Sequence, residues 1–366
     1  MFQHFSSLPG MVGMLCFLFS WSPVFSQGEA PTSAMGSNLP TESQYPLKTQ
    51  SLIYTDEQVA EARAKIKTSE AARKLAENII AAGERWAAWE DEDLIALIPD
   101  GNVPRSFDLN AEGCPVHGDT VFNVGGSYPW ILHPRKQYKV QCPVGGETYP
   151  SNDFDPSVAG KQLQDHPGDK PYVDNGWGWE AEDGEKYWFV AYANQWFYNR
   201  YVQNAIRNLG RAYLLTGRPE FAHKALVMLH RLAEVYPGMD YEHQSRYGQM
   251  QKEIGRRYPG KVLNRIWETN FIQTAAECYD AVWAHISKDQ ELHDLLGKDP
   301  EEIQAFIEVN LLEDAVKGFA EQKIQGNFGM HQMALLYVLL ARQHMDNETH
   351  INRIIHNVSG SLLQTG

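Results

Sequence analysis

Cysteine is scarce in this chain, with four in 366 residues. That excludes a disulfide-rich scaffold, whose small domains depend on several bridges. No apolar run reaches the ~20 residues that a membrane-spanning helix needs. Cationic surplus is missing too: 32 Lys and Arg against 46 Asp and Glu leave a formal net charge of −14. Nucleic acid and anionic membrane surfaces are therefore excluded as expected partners. Strand-like alternation is almost absent, and no fixed internal period supports a plain solenoid.

What is present points to a globular protein, with 43% hydrophobic and 21% charged residues. Ten Trp and 17 Tyr exceed what a core of this size requires, and surplus aromatics suit a surface for ring-bearing ligands. The first 26 residues contain no Lys, Arg, Asp or Glu. Their apolar stretch MVGMLCFLFSW at 11–21, followed by Pro23 and Val24-Phe25-Ser26, reads as a signal peptide over 1–26. The expected location is secreted or periplasmic, without a stable membrane anchor. Cys16 leaves with the signal, and Cys114, Cys142 and Cys278 remain.

Residues 27–50 lack an apolar period and read as a disordered linker. Structure is expected from Thr55, where Thr55 and Gln58 form a capping-box pattern. Leu75, Ile79, Ala82 and Trp86 then continue a helical stripe. From 99 to 184 the chain is rich in Gly, Pro, Asn and Asp, a loop-rich insertion in which only QYKVQC at 137–142 resembles a strand. After 185 it is helical. A long helix runs to Gly217, further helices start at Pro219 and Pro300, and a last one fills about 348–364. ALLYVLLA at 334–341 is apolar all round and should be buried on every side. Alternating amphipathic and fully apolar helices predict a mainly α fold over 51–366, an incomplete α/α toroid or barrel of antiparallel hairpins.

Chemistry is expected first at QGNFGMHQ, 325–332. Gly326 and Gly329 break the chain ahead of the apolar helix, placing Asn327 and His331 at a helix N-terminus, where N–H groups favour an anion. The competing reading is a capping Asn and a structural His. Trp177 and Trp179, between glycines, are candidate sugar platforms. Tyr192 and Trp196 share a helical apolar stripe and read equally as core. Asn194 and Gln195 are candidate contacts to sugar hydroxyls. Arg256 and Arg257, with Lys252, Lys261 and Arg265, form a basic patch along the sequence. CPVHG at 114–118 and CPVGG at 142–146 are paired Cys-Pro-Val turns. Cys114, His117 and Cys142 supply three ligands for a structural zinc, but Gly145 stands where a fourth belongs. A disulfide or two reduced packing cysteines is the other reading.

GNFGMHQ, CPVHG, CPVGGETYPSNDF, GEKYWFVAYANQW, AYLLTGRPEFAHKALVMLHRLAEVYPGMD and GKVLNRIWE together resemble the heparinase II/III-like polysaccharide lyases over roughly 52–366. The resemblance implies a helical toroid followed by a C-terminal β-sandwich, acting on uronic-acid polysaccharide by β-elimination without a catalytic cofactor. It assigns to Asn327 the neutralisation of the uronate carboxylate, with His331 in the same subsite. The family's catalytic Tyr comes from beyond the Asn motif. Neither that helix nor the sandwich falls within these 366 residues, so the expectation is the N-terminal part of a lyase, not necessarily active alone. The alternative is a non-catalytic glycan-binding toroid that lost them. A hydrolase is disfavoured, because Glu180, Glu182, Asp183 and Glu185 bunch in one loop instead of facing each other across a cleft.

Overall fold

The computed structural model describes residues 48–158, 171–246 and 258–364. The expected signal peptide, the linker up to residue 47, Lys252, Arg256 and Arg257 lie outside the described residues. The chain is mainly helical. It opens with α1 (Asp56–Thr68), α2 (Glu70–Ala87), α3 (Asp91–Ala96) and α4 (Thr120–Gly125). Two small antiparallel hairpins follow, β1 (Val140–Gln141) with β2 (Thr148–Tyr149) and β3 (Trp179–Glu180) with β4 (Lys186–Tyr187). The expected strand at 137–142 shrinks to β1, and the insertion has a second hairpin. Next come α5 (Phe189–Phe197), a π-helical turn at Tyr198–Val202, α6 (Gln203–Thr216), α7 (Pro219–Val235), α8 (Tyr241–Gln244), α9 (Arg265–Val282) and α10 (Gln290–Leu296). The last helices are α11 (Pro300–Ile307), α12 (Asp314–Ala320), α13 (Met330–Arg342) and α14 (Asn347–Gln364).

Most helix boundaries follow from local chemistry. Thr55 accepts from the Gln58 amide while Gln58 accepts from the Thr55 amide, the reciprocal cap that starts α1. Gly217 ends α6 in the left-handed conformation at φ 71°, and Pro219 and Pro300 occupy first-turn positions that need no N–H.

Packing places α6 at the centre of a row, with α2 on one side, α9 on the other and α13 beyond α9. Two glycines set the spacing. A β-carbon at Gly83 of α2 would lie 2.6 Å from the Ala212 β-carbon, and one at Gly210 of α6 would lie 3.0 Å from Cys278 Sγ on α9. The α2 stripe is accordingly shifted from the expected one. Ala76 and Gly83 are buried while Leu75 is 62% exposed, because small residues give the closest approach to α6. The buried face of α13 is Ala334, Val338, Leu339, Ala341 and Arg342. Leu335, Leu336, Tyr337 and Leu340 are only half-buried, so this helix is covered on one side and not all round.

The end of the expected linker is ordered. Buried Lys48 pairs with Asp280 at 2.6 Å, and Asp280 also accepts from the amides of Leu52, Ile53 and Tyr54. One carboxylate thus fixes the approach to α1. A second buried charge cluster joins α3, α7 and the start of α10. His223 Nδ1 lies 3.0 Å from Asp289, its Nε2 lies 3.0 Å from Asp91, and Lys224 lies 2.6 Å from Asp91. Burial pulls the imidazole pKa down, but hydrogen bonds to Asp289 and Asp91 outweigh it and raise the value to about 9. The imidazolium therefore stabilises the fold fully below its ordinary 6.5, and that contribution is lost as pH rises through about 9. Urea unfolding of the wild type should show stability falling between these values, and His223→Gln should flatten that slope.

Candidate functional site

The loop-rich insertion would leave many backbone carbonyls without partners, and the helix from Phe189 onward supplies donors to them. Asn194 donates to the carbonyls of Val103 and Pro104, both at 3.1 Å. Trp196 Nε1 donates to Phe107 at 3.0 Å, Tyr198 to Pro99 at 2.8 Å and Tyr201 to Leu132 at 2.7 Å. Asn194 is thereby engaged in the interior instead of reaching sugar hydroxyls. Both Asn194 and Gln195 are wholly buried, as are Tyr192 and Trp196. Asn194 Nδ2 and Trp196 Nε1 serve the interior because the insertion wraps over that helix face, whereas the Gln195 amide has no hydrogen-bond partner among the described residues.

Trp179 is turned toward the core, while Trp177 is not drawn into it. Trp179 packs against Tyr172 at 4.9 Å and Tyr187 at 5.5 Å and belongs to the partly buried edge of the core. Trp177 is half-buried. The loop that carries them is held by buried Asp174, which accepts from the amides of Gly176, Gly178 and Val190 at 2.7–3.0 Å. Arg256 and Arg257 are not described, and Lys261 is buried in an ion pair with Asp314 instead of joining a surface patch.

The turn ahead of α13 does have the expected geometry. Gly326 rests against Thr269 of α9, where a β-carbon would meet Thr269 Cγ2 at 2.8 Å. Gly329, at φ 88°, is the N-cap, and its amide donates to Gln332 Oε1 at 2.7 Å. Asn327 is exposed, and its side chain makes no hydrogen bond to another described residue. Its carbonyl accepts from the His331 amide at 3.1 Å. His331 stands edge-on to Phe319 at 5.1 Å, and burial lowers its pKa. A neutral imidazole and a free carboxamide thus occupy one turn, a pair able to accept a proton and to donate to a carboxylate.

A groove of about 540 Å³ between α2 and α6 was not foreseen from the sequence. Its walls include Arg85, Trp86 and Trp89 on one side and Arg200, Tyr201, Asn204 and Asn208 on the other. Trp86 lies 5.4 Å from Trp89 and 6.3 Å from Tyr201. The Arg135 guanidinium sits 3.4 Å over the Trp89 ring, and that of Arg200 sits 4.8 Å over Trp196. Aromatic faces beside guanidinium groups suit a sugar ring carrying an anionic substituent. From the groove, contacts run through Arg200 and Trp196 to Trp267 of α9, 5.4 Å from Trp196, and α9 carries the Thr269 that backs the Asn327 turn. The groove residues are scattered from 85 to 208, and no local motif announces them.

The paired Cys-Pro-Val turns meet at a third place. His117 Nδ1 lies 3.6 Å from both Cys114 Sγ and Cys142 Sγ, and the two cysteines are not bonded to each other. Cys278 is a buried packing residue against Gly210. No helix among the described residues is long and apolar enough to cross a membrane. No protein-family model, curated protein or solved structure matches the chain.

Asn194→Ala should lower stability by about 2 kcal/mol, the cost of leaving buried carbonyls without a donor. Urea denaturation measures it, and an unchanged midpoint would return Asn194 to the list of ligand contacts.

Proposed function

We propose that this chain is the helical part of an exported polysaccharide lyase that cleaves uronic-acid polysaccharide by β-elimination, with Asn327 neutralising the uronate carboxylate. An incomplete α/α toroid belongs to the same proposal, supported by the succession of packed helices α2, α6, α9 and α13. The observation that carries the reading is the exposed, unengaged carboxamide of Asn327 at the mouth of α13, with His331 in the same turn.

In such an elimination a base takes the C5 proton, the C4–O bond breaks, the leaving oxygen is protonated and a C4=C5 double bond forms. The electron pair left at C5 delocalises onto the adjacent carboxylate. A donor already held against that carboxylate lowers the barrier where the charge develops. Asn327 is suited to this task because its amide N–H₂ is free to donate. The groove at Trp86, Trp89 and Tyr201 would take sugar units away from the reacting bond, with arginines opposing their carboxylates.

A second reading, glycan binding without cleavage, is favoured by the groove itself. Among the described residues it is lined by arginines, amides, aromatics and Pro134, with no Asp, Glu or His. The two readings part in one experiment. The full-length protein is incubated with a panel of uronate polysaccharides while the near-ultraviolet absorbance of an unsaturated uronate is followed. The lyase reading expects absorbance to grow, and Asn327→Ala to slow it by about 10²–10³-fold without weakening binding to the same degree. Binding with no absorbance change would leave the glycan-binding reading. Trp89→Ala should weaken binding under either reading.

A further inference from the structure

The second Cys-Pro-Val turn contains no ligand at the position where a knuckle usually provides one, yet that position is not open space. A β-carbon on Gly145 would lie 2.3 Å from Glu147 Oε1, 2.4 Å from Glu147 Oε2 and 2.3 Å from the His117 ring. The Glu147 carboxylate, two residues further on, fills the space that a fourth side chain would take. Its Oε2 is sealed from solvent and has no hydrogen-bond partner, although it lies 3.5 Å from His117 Nδ1. The Glu147 side chain is 39% exposed overall, but this one oxygen is turned inward toward His117 without a hydrogen-bond donor. It points to a cation that the protein atoms alone do not supply.

We propose that Cys114, His117, Cys142 and Glu147 form a four-coordinate structural zinc site, with Glu147 as the fourth ligand in place of a knuckle cysteine. The distances that meet at His117 Nδ1 are compatible with it. With Zn–S of ~2.3 Å and Zn–N or Zn–O of ~2.0–2.1 Å, tetrahedral geometry requires S···N edges of ~3.6 Å and an N···O edge of ~3.4 Å. The observed edges are 3.6, 3.6 and 3.5 Å. The ligand atoms of Cys114, His117 and Cys142 all lie within 4.8 Å of one another; the Glu147 carboxylate is not within that distance of all three and would swing toward the sulfurs to complete the set. A disulfide would instead bring the two sulfurs to ~2.05 Å.

Both turns have the form that presents sulfur to a metal. Gly118 and Gly146 take left-handed φ values of 56° and 81°, and their amides donate to the carbonyls of Cys114 and Cys142 at 2.8 and 3.0 Å. The Val116 amide donates to Cys114 Sγ at 3.5 Å, the N–H···S contact that stabilises a thiolate. Tyr149 OH lies 3.7 Å from the same sulfur, and its ring stacks on Phe189 of α5 at 4.9 Å. The metal would tie the insertion to the main helical body. Gly145 is then required because any side chain there displaces Glu147. Binding zinc releases the two thiol protons to solvent and changes no oxidation state. The inference does not depend on the polysaccharide reading.

The test uses the full-length protein. Elemental analysis after dialysis against a weak chelator should find one zinc per chain, and Cys114→Ser should lose it. Cobalt substitution should give the absorption of a tetrahedral ion with two thiolates. Glu147→Gln and Gly145→Ala should weaken zinc at least ten-fold in chelator competition, while the helical circular dichroism signal is retained. A metal-free wild type, or Cys114 joined to Cys142 by mass spectrometry, overturns the site. One zinc per chain with a cobalt spectrum and affinity indifferent to Glu147→Gln overturns the role of Glu147. Should Cys114→Ser fail to fold, the wild-type stoichiometry and the Glu147 variant still decide.

Discussion

The structure depends on how closely α6 is approached from two sides. Gly83 lets α2 meet α6 at Ala212, and Gly210 lets α6 meet α9 at Cys278. A methyl group at either glycine would collide with packed neighbours, and interiors at near-crystalline density have little room to yield. These contacts set the row of α2, α6, α9 and α13. The groove between α2 and α6 and the Asn327 turn resting on α9 are both consequences of that spacing. Buried charges then fix what joins the row from outside. Asp280 with Lys48 sets the entry to α1, and His223 with Asp91 and Asp289 ties α3 to α7 and α10.

The insertion would be unstable alone. Its short hairpins bury little, and its carbonyls need partners. The helix from Phe189 answers by donating from Asn194, Trp196, Tyr198 and Tyr201. At the other end of the insertion Tyr149 stacks on Phe189 while its hydroxyl faces Cys114. A metal at the paired turns would complete this arrangement beside the core residues Trp130, Val140 and Tyr149. The insertion thereby shapes one wall of the groove, since Pro134 lines it and Arg135 covers Trp89.

Much of the helical framework was legible in the sequence because its boundaries are chemical. The Thr55–Gln58 cap, Gly217 and the two first-turn prolines each have a local cause and appear where that cause predicts. Burial was read less well where small residues decide it. Leu75 was placed inside by its apolar character, but Gly83 and Ala76 make the close contact and turn Leu75 outward. ALLYVLLA was placed wholly inside, but α13 is covered on one face. Asn194 resembled a ligand contact because sequence gives no sign of which polar side chains will meet buried carbonyls. Glu147 was missed because knuckle spacing directs attention to position 145, and only the fold brings a residue two further on into that space. The Asn327 turn was found from its glycines. The groove was not, since its walls come from segments more than a hundred residues apart.

Under the lyase reading, one uronate chain would contact both the groove and the Asn327 turn. Selective labelling of Trp and Asn, with nuclear magnetic resonance titration by a long uronate oligosaccharide, tests it most directly. One ligand lying along the face should shift the indoles of Trp86 and Trp89 and the side-chain amide of Asn327 with a common dissociation constant. Shifts at the tryptophans that leave Asn327 unmoved at saturation, or no shift at either, would contradict the account.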